Sequence, residues 1–132
     1  MGSWGLGPFD NDDAADWAWS LEDSEDDSIL RAALQHGSET ARPDASTSQI
    51  AVAAAAVVAV GQSGDAPELP EEVATWLEAH RDILWPQLAD LARSALENVA
   101  KDSELRDLWA QSDQVETWLA DIEALRYRLA KS

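Results

Sequence analysis

Hydrophobic residues recur at helical spacing along most of the chain. The clearest stripe lies between residues 88 and 99, where apolar side chains repeat every three or four positions. A second stripe of the same period runs from Val115 to Leu129. Trp76 and Trp109 also lie on such stripes, which favours core packing for both indoles. The pattern predicts an all-α fold, a compact bundle of about six or seven short helices.

One segment departs from this amphipathic pattern. The run IAVAAAAVVAV at 50–60 is apolar at every position. A helix without a polar side belongs in the middle of a bundle, so the run is predicted to be an apolar central helix. Its valines leave a buried strand as the alternative, but its alanines favour helix. The run is too short to span a bilayer.

Two polar segments, 38–48 and 62–70, are predicted to be interhelical loops. Each lies next to a glycine, Gly37 or Gly61, that is expected to stop the preceding helix because glycine favours the conformation that ends helices. A chain of 132 residues has the length of one domain. We therefore expect a single all-α domain over residues 1–132.

The charge balance bears on the kind of partner. The chain carries 26 acidic and nine basic residues, a formal net charge of −17. Such a field repels phosphate backbones and anionic lipids, so we expect neither nucleic acid nor a membrane as a partner. It favours a basic protein, although solubility alone also accounts for an acidic composition. The asymmetry is marked in residues 1–30, which hold nine acids and no base.

Two further features bear on the compartment. No cysteine is present, which excludes disulfides and thiolate metal sites and suits a reducing cytosol. The start of the chain lacks the basic region and apolar core of a secretory signal. These features predict a cytoplasmic protein.

The segment DDAAD at 12–16 is the candidate for catalytic chemistry. Carboxylates at i and i+4 on a helix can share a hard cation such as Mg²⁺, so one hypothesis is a small metal- or ligand-dependent enzyme using Asp10, Asp12, Asp13 and Asp16. Acids are also expected in the first turn of a helix, where they complement its dipole. The two histidines lie far apart in sequence and no nucleophile motif is present. We therefore expect no enzyme, no metal and no cofactor.

The favoured hypothesis is a protein-interaction module, for instance an immunity- or antitoxin-like protein that masks a basic partner. Trp4 and Trp19 lie off the hydrophobic stripes, so one of them is expected to be exposed within an acidic surface, as an interface anchor would be. The candidate partner-binding residues are Trp4, Asp12, Asp13, Asp16, Trp19, Glu22 and Asp23.

The opening MGSWGLGPFDND has a structural interpretation. Its glycines permit tight turns, its aromatic residues can pack as anchors, and Asp10 can cap a first helix of about residues 11–22. Residues 1–10 would then tie the N-terminus to the bundle. The residues of this motif are Gly2, Trp4, Gly5, Gly7, Phe9 and Asp10.

The same opening resembles that of a bacterial family of small proteins, the domain-of-unknown-function family 4259, whose members begin MG-x-WG-x-G-x-FDND. AADWAW at 14–19 resembles the helix that follows in that family, and DSELRDLW at 102–109 its SEL-x-x-LW element. The resemblance implies a bacterial, cytosolic protein with no established reaction. It transfers no catalytic residue.

Overall fold

The computed structural model describes residues 9, 11–63, 69–80, 83 and 85–130. Within them the chain forms seven helices and no strand. The helices are α1 (Asp12–Glu22), α2 (Ser28–Glu39), α3 (Ala45–Ser63), α4 (Glu71–Ala79), α5 (Trp85–Lys101), α6 (Glu104–Ala110) and α7 (Val115–Ala130). The predicted all-α fold is confirmed.

Helix α3 is the centre of the bundle, as its apolar sequence predicts. Its side chains from Ala51 to Val60 are all buried, and it packs against each of the other six helices. The helix extends beyond the apolar run at both ends, to 19 residues. It is long and apolar enough to cross a membrane by length and composition alone, but 61% of that stretch is buried inside the fold. This burial is what a core helix requires.

Gly37 and Gly61 do not stop helices, so this prediction is wrong. α2 and α3 each run two residues past their glycine. A β-carbon on Gly37 would lie 2.6 Å from Ala51 Cβ of α3, and one on Gly61 would lie 2.6 Å from the Trp85 ring of α5. Each glycine is therefore needed where another helix packs against its backbone, since nonbonded carbons prefer about 3.5–4.0 Å.

The first interhelical loop is shorter than the predicted 38–48. α2 continues to Glu39, and α3 already begins at Ala45. The Asp44 carboxylate starts α3 by accepting the Thr47 N–H at 2.7 Å. This side-chain cap satisfies one of the N–H groups that a helix start leaves without a backbone partner.

The second predicted loop, 62–70, is also shorter at its start, because α3 continues to Ser63. Residues 64–68 of this loop lie outside the described residues. Beyond them, α4 begins at Glu71, directly after Pro70. Proline and acids both favour the first turn of a helix, which explains this boundary.

Helix α1 begins at Asp12 and is capped by Asn11, not by Asp10. Asn11 Oδ1 accepts the Ala14 N–H at 2.7 Å, which sets the helix start one residue later than predicted. Phe9, half-buried, packs against the core. The other residues assigned to the N-terminal motif lie outside the described residues: Gly2, Trp4, Gly5, Gly7 and Asp10.

Candidate protein-interaction surface

Helix α1 has one buried and one exposed side. Ala14, Trp17, Ala18 and Leu21 are buried, and the helix packs against α4 and α3. The opposite side is exposed, and we call it the α1 face. It consists of Asp12, Asp16, Trp19, Glu22 and Asp23.

The α1 face brings together five of the seven predicted partner-binding residues. Asp12, Asp16, Trp19 and Asp23 follow one another at i, i+4, i+7 and i+11, so they share one side of the helix. Glu22 lies beside them. Trp4 lies outside the described residues.

Asp13 does not belong to this face. It is half-buried, and its Oδ2 accepts a hydrogen bond from the Ser46 hydroxyl of α3 at 3.2 Å. Asp13 therefore ties α1 to the central helix. One helical position rotates a side chain about 100° away from its neighbour, which takes Asp13 off the side of α1 that Asp12 and Asp16 share. Its role in partner binding stays a prediction.

Trp19 is the apolar centre of the α1 face. It is 61% exposed, whereas Trp17, two positions earlier, is 8% exposed. Asp16 lies one turn before it and Glu22 and Asp23 one turn after, so carboxylates flank the indole on both sides. In the part of the chain that the structure describes, no ion pair uses an acid of the α1 face.

The acidic surface continues into the loop between α1 and α2, which α4 holds in place. Trp76 Nε1 donates a hydrogen bond to Ser24 O at 3.1 Å. The His80 ring stacks on Trp76 with a centroid separation of 4.4 Å, and its Nε2 lies 3.1 Å from Glu25 O. Trp76 thus donates to one loop carbonyl and the His80 ring lies against the next one; we call these two stacked side chains the α4 clasp.

The acids of this loop differ in their environment. Glu25 and Asp26 are exposed, whereas Asp27 forms an ion pair with Arg31 at 2.8 Å. Hydrogen bonds from the hydroxyl and the backbone N–H of Ser28 lower the pKa of the Asp26 carboxyl below its ordinary value of 3.8. The Asp26 carboxyl therefore stays ionised at a more acidic pH than an ordinary aspartate would.

The metal hypothesis gains no geometric support from the described residues. Among them, no group of three or more His, Asp or Glu side chains is arranged to hold a metal ion. Asp12 and Asp16 point to solvent, whereas Asp13 is engaged with Ser46. Asp10, the fourth acid of that hypothesis, lies outside the described residues.

The element DSELRDLW at 102–109 connects the starts of two helices. Ser103 caps α6, because its Oγ accepts the Arg106 N–H at 3.0 Å. Glu104 Oε1 accepts the Ala45 N–H at 2.8 Å, and its own N–H donates to Pro43 O at 3.0 Å. This segment therefore fastens the start of α6 to the start of α3.

Arg42 completes this attachment. Its guanidinium lies between two carboxylates of the same element, those of Asp102 and Asp107. Arg42 has a φ of 49°, which is uncommon for a residue other than glycine. The contacts with Asp102 and Asp107 show why this loop residue is held on the α6 side of the fold.

Comparison with known proteins identifies the family. The family described as Domain of unknown function (DUF4259) matches residues 2–121. The chain therefore belongs to this family. No curated protein and no solved structure matches the chain.

Proposed function

We propose that this member of the DUF4259 family is an acidic helical interaction module of the bacterial cytoplasm. It binds and masks a basic protein, in the way that immunity and antitoxin proteins do. The observation that carries the proposal is the α1 face, an exposed tryptophan among carboxylates that enter no ion pair within the described residues.

The charge of this region supports a basic partner. Residues 1–30 contain nine acids and no base, and the first base, Arg31, is engaged by Asp27. A surface of one sign raises the rate of association with a surface of the opposite sign. The same field, with a net charge of −17, opposes binding to nucleic acids and anionic membranes.

The exposed indole supports a protein as the partner rather than a small cation. A tryptophan side chain buries about 150–250 Å² in a full interface. Because 61% of Trp19 is exposed, a partner would cover roughly 90–150 Å² more, which corresponds to about 2–4 kcal/mol at ~25 cal/mol/Å². An apolar centre with a charged rim is the usual anatomy of a binding hot spot.

The proposal is tested by affinity capture from a lysate of the native host at low and at high salt, read by mass spectrometry. The test variant carries Asp12→Asn, Asp16→Asn and Asp23→Asn. The matched control carries Asp113→Asn, Glu116→Gln and Asp121→Asn, which are exposed acids near the start of α7. Each variant removes three acids, so the formal charge changes from −17 to −14 in both (−17 + 3).

We expect a basic protein that the wild type and the control retain at low salt and that the test variant loses. High salt should release it, since ions screen exposed charges over about 10 Å at 0.1 M. Equal loss from both variants would mean that only the overall charge matters. Capture of no basic protein at low salt would refute the proposal.

A further inference from the structure

We infer that the α1 face takes an arginine side chain of the basic partner, stacked on the Trp19 indole, and that it prefers arginine to lysine. This inference rests on the proposed function, because it names the chemistry of the group that the same surface binds. It is carried by the placement of one open indole between carboxylates that are one helical turn away on either side.

Carboxylates on neighbouring turns of α1 lie close to the Trp19 indole. Residues three and four positions apart on a helix have β-carbons about 5–6 Å apart. Asp16 precedes Trp19 by three positions and Asp23 follows it by four. A cation on the indole therefore lies within reach of carboxylates from both sides of the ring.

Arginine and lysine carry cations of different shape. A guanidinium is planar, stacks on aromatic rings and presents paired N–H donors that match a carboxylate. An ammonium is a compact charge that is more strongly hydrated. It therefore gains less binding free energy from contact with an indole that is partly exposed to water. The combination of one indole and flanking carboxylates thus suits arginine better than lysine.

Basic side chains of the protein itself would compete with a partner's cation for the α1 face. No lysine or arginine precedes Arg31 in the sequence. Within the described residues, the ion pairs of Arg31, Arg42, Arg93 and Arg126 all use carboxylates outside the α1 face. The described ion pairs therefore leave the carboxylates of the face to a cation from another protein.

The test measures binding of two labelled peptides by fluorescence anisotropy at ~20 mM salt. The peptides have equal length and charge, and they differ only in carrying arginine or lysine as the basic residue. The proteins are the full chain, Trp19→Ala and Trp19→Phe. Tyr127→Ala is the control, because Tyr127 is 65% exposed on α7 and its loss removes an aromatic side chain elsewhere.

We expect the wild type to bind the arginine peptide about two- to five-fold more tightly than the lysine peptide. Trp19→Ala should abolish this preference, Trp19→Phe should retain part of it, and Tyr127→Ala should keep it. In a ¹⁵N-correlated NMR spectrum, the indole N–H signal missing from Trp19→Ala should shift when the arginine peptide binds the wild type.

Two results would overturn the inference, and the second of them would also count against the proposed function. Equal affinity for both peptides, unchanged in Trp19→Ala, would refute the arginine site and leave the acidic binding surface intact. Absence of binding by either peptide at low salt would remove the electrostatic basis of the proposed function as well.

Discussion

The contact between α2 and α3 at Gly37 allows a sharp test of the packing. Gly37 lies inside α2 and is buried. Glycine is about 0.8–1.0 kcal/mol worse than alanine within a helix, so propensity alone predicts that Gly37→Ala stabilises the protein. The structure predicts the opposite sign, because the new methyl group would lie 2.6 Å from Ala51 Cβ.

The size of the effect follows from this distance. Two methyl carbons pack at about 3.5–4.0 Å, so α2 and α3 would have to separate by roughly 1 Å. Ala51 Cβ cannot turn away, since it is bonded directly to the backbone of a core helix. Overpacking of this kind costs about 1–3 kcal/mol. After subtraction of the propensity gain, we expect a net loss of about 1 kcal/mol, or roughly 3–6 °C in Tm.

The assay is urea unfolding of four proteins followed by far-UV circular dichroism. They are the wild type, Gly37→Ala, Ala51→Gly and the double variant, which form a double-mutant cycle. In the double variant the methyl group is moved from α3 to α2, so the overlap is removed. We expect the two changes to compensate by about 1–2 kcal/mol. A Gly37→Ala protein more stable than the wild type, or a cycle without coupling, would refute the close approach.

Three further predictions concern other parts of the fold. Hydrogen bonds from the N–H and hydroxyl of Thr47 lower the pKa of Asp44 below 3.8, so the stability that Asp44 contributes is present above that value and is lost as the pH falls through the lower folded pKa. Asp44→Ala should cost about 1 kcal/mol at pH 7, and urea titrations should show the gap to the wild type closing at more acidic pH. His80→Ala opens the α4 clasp and should cost about 0.5–1.5 kcal/mol, with faster amide exchange confined to the loop at 23–27. Millimolar Mg²⁺, Ca²⁺ or Mn²⁺ should change the Tm of the wild type and of Asp12→Asn/Asp16→Asn equally, and a rise specific to the wild type would favour the metal-enzyme hypothesis instead.

The sequence predicted which segments are helical better than it predicted where they end. The amphipathic pattern of a helix is set by its own sequence and can be recognised without knowing which helices surround it. The helices that this pattern predicted are present in the structure. A glycine that stops a helix and a glycine that admits a neighbouring helix look alike in sequence. The need for a glycine at position 61 is explained by the Trp85 ring, which leaves no room for a β-carbon there. Trp85 lies 24 positions later in the sequence, so the two residues come into contact only in the folded chain.

The same limit applies to the candidate surface. Spacing along a single helix places Asp12, Asp16, Trp19 and Asp23 on one side of α1, although the predicted binding set also contained Asp13. The contact of Asp13 with Ser46 and the α4 clasp depend on the tertiary approach of α3 and α4. In the clasp, moreover, the acceptors are backbone carbonyls, which every residue carries, so no side-chain pattern indicates which of them will be used.

The two ends of the α1 face differ in their relation to the helix dipole. Asp12 lies in the first turn, where a carboxylate is favourable, whereas Asp23 is the C-terminal cap and the last turn of α1 holds no base. No basic side chain in the last turn of α1 offsets the charge of Asp23, so we expect its carboxylate to lower stability there. A surface residue of this kind is expected where binding, and not folding, sets the requirement.

The helix dipole predicts opposite outcomes for one chemical change made at the two ends of the same helix. Asp12→Asn should lower the free energy of unfolding by about 0.5 kcal/mol, and Asp23→Asn should raise it by a similar amount. Both variants lose one negative charge, so the relief of overall repulsion cancels in the comparison. Urea unfolding at low ionic strength measures the difference, which should shrink as salt is added. If both substitutions stabilise the protein equally, the acids of the α1 face act only through net charge. If Asp23→Asn is more stable yet retains less of the captured basic protein, then Asp23 exchanges stability for binding.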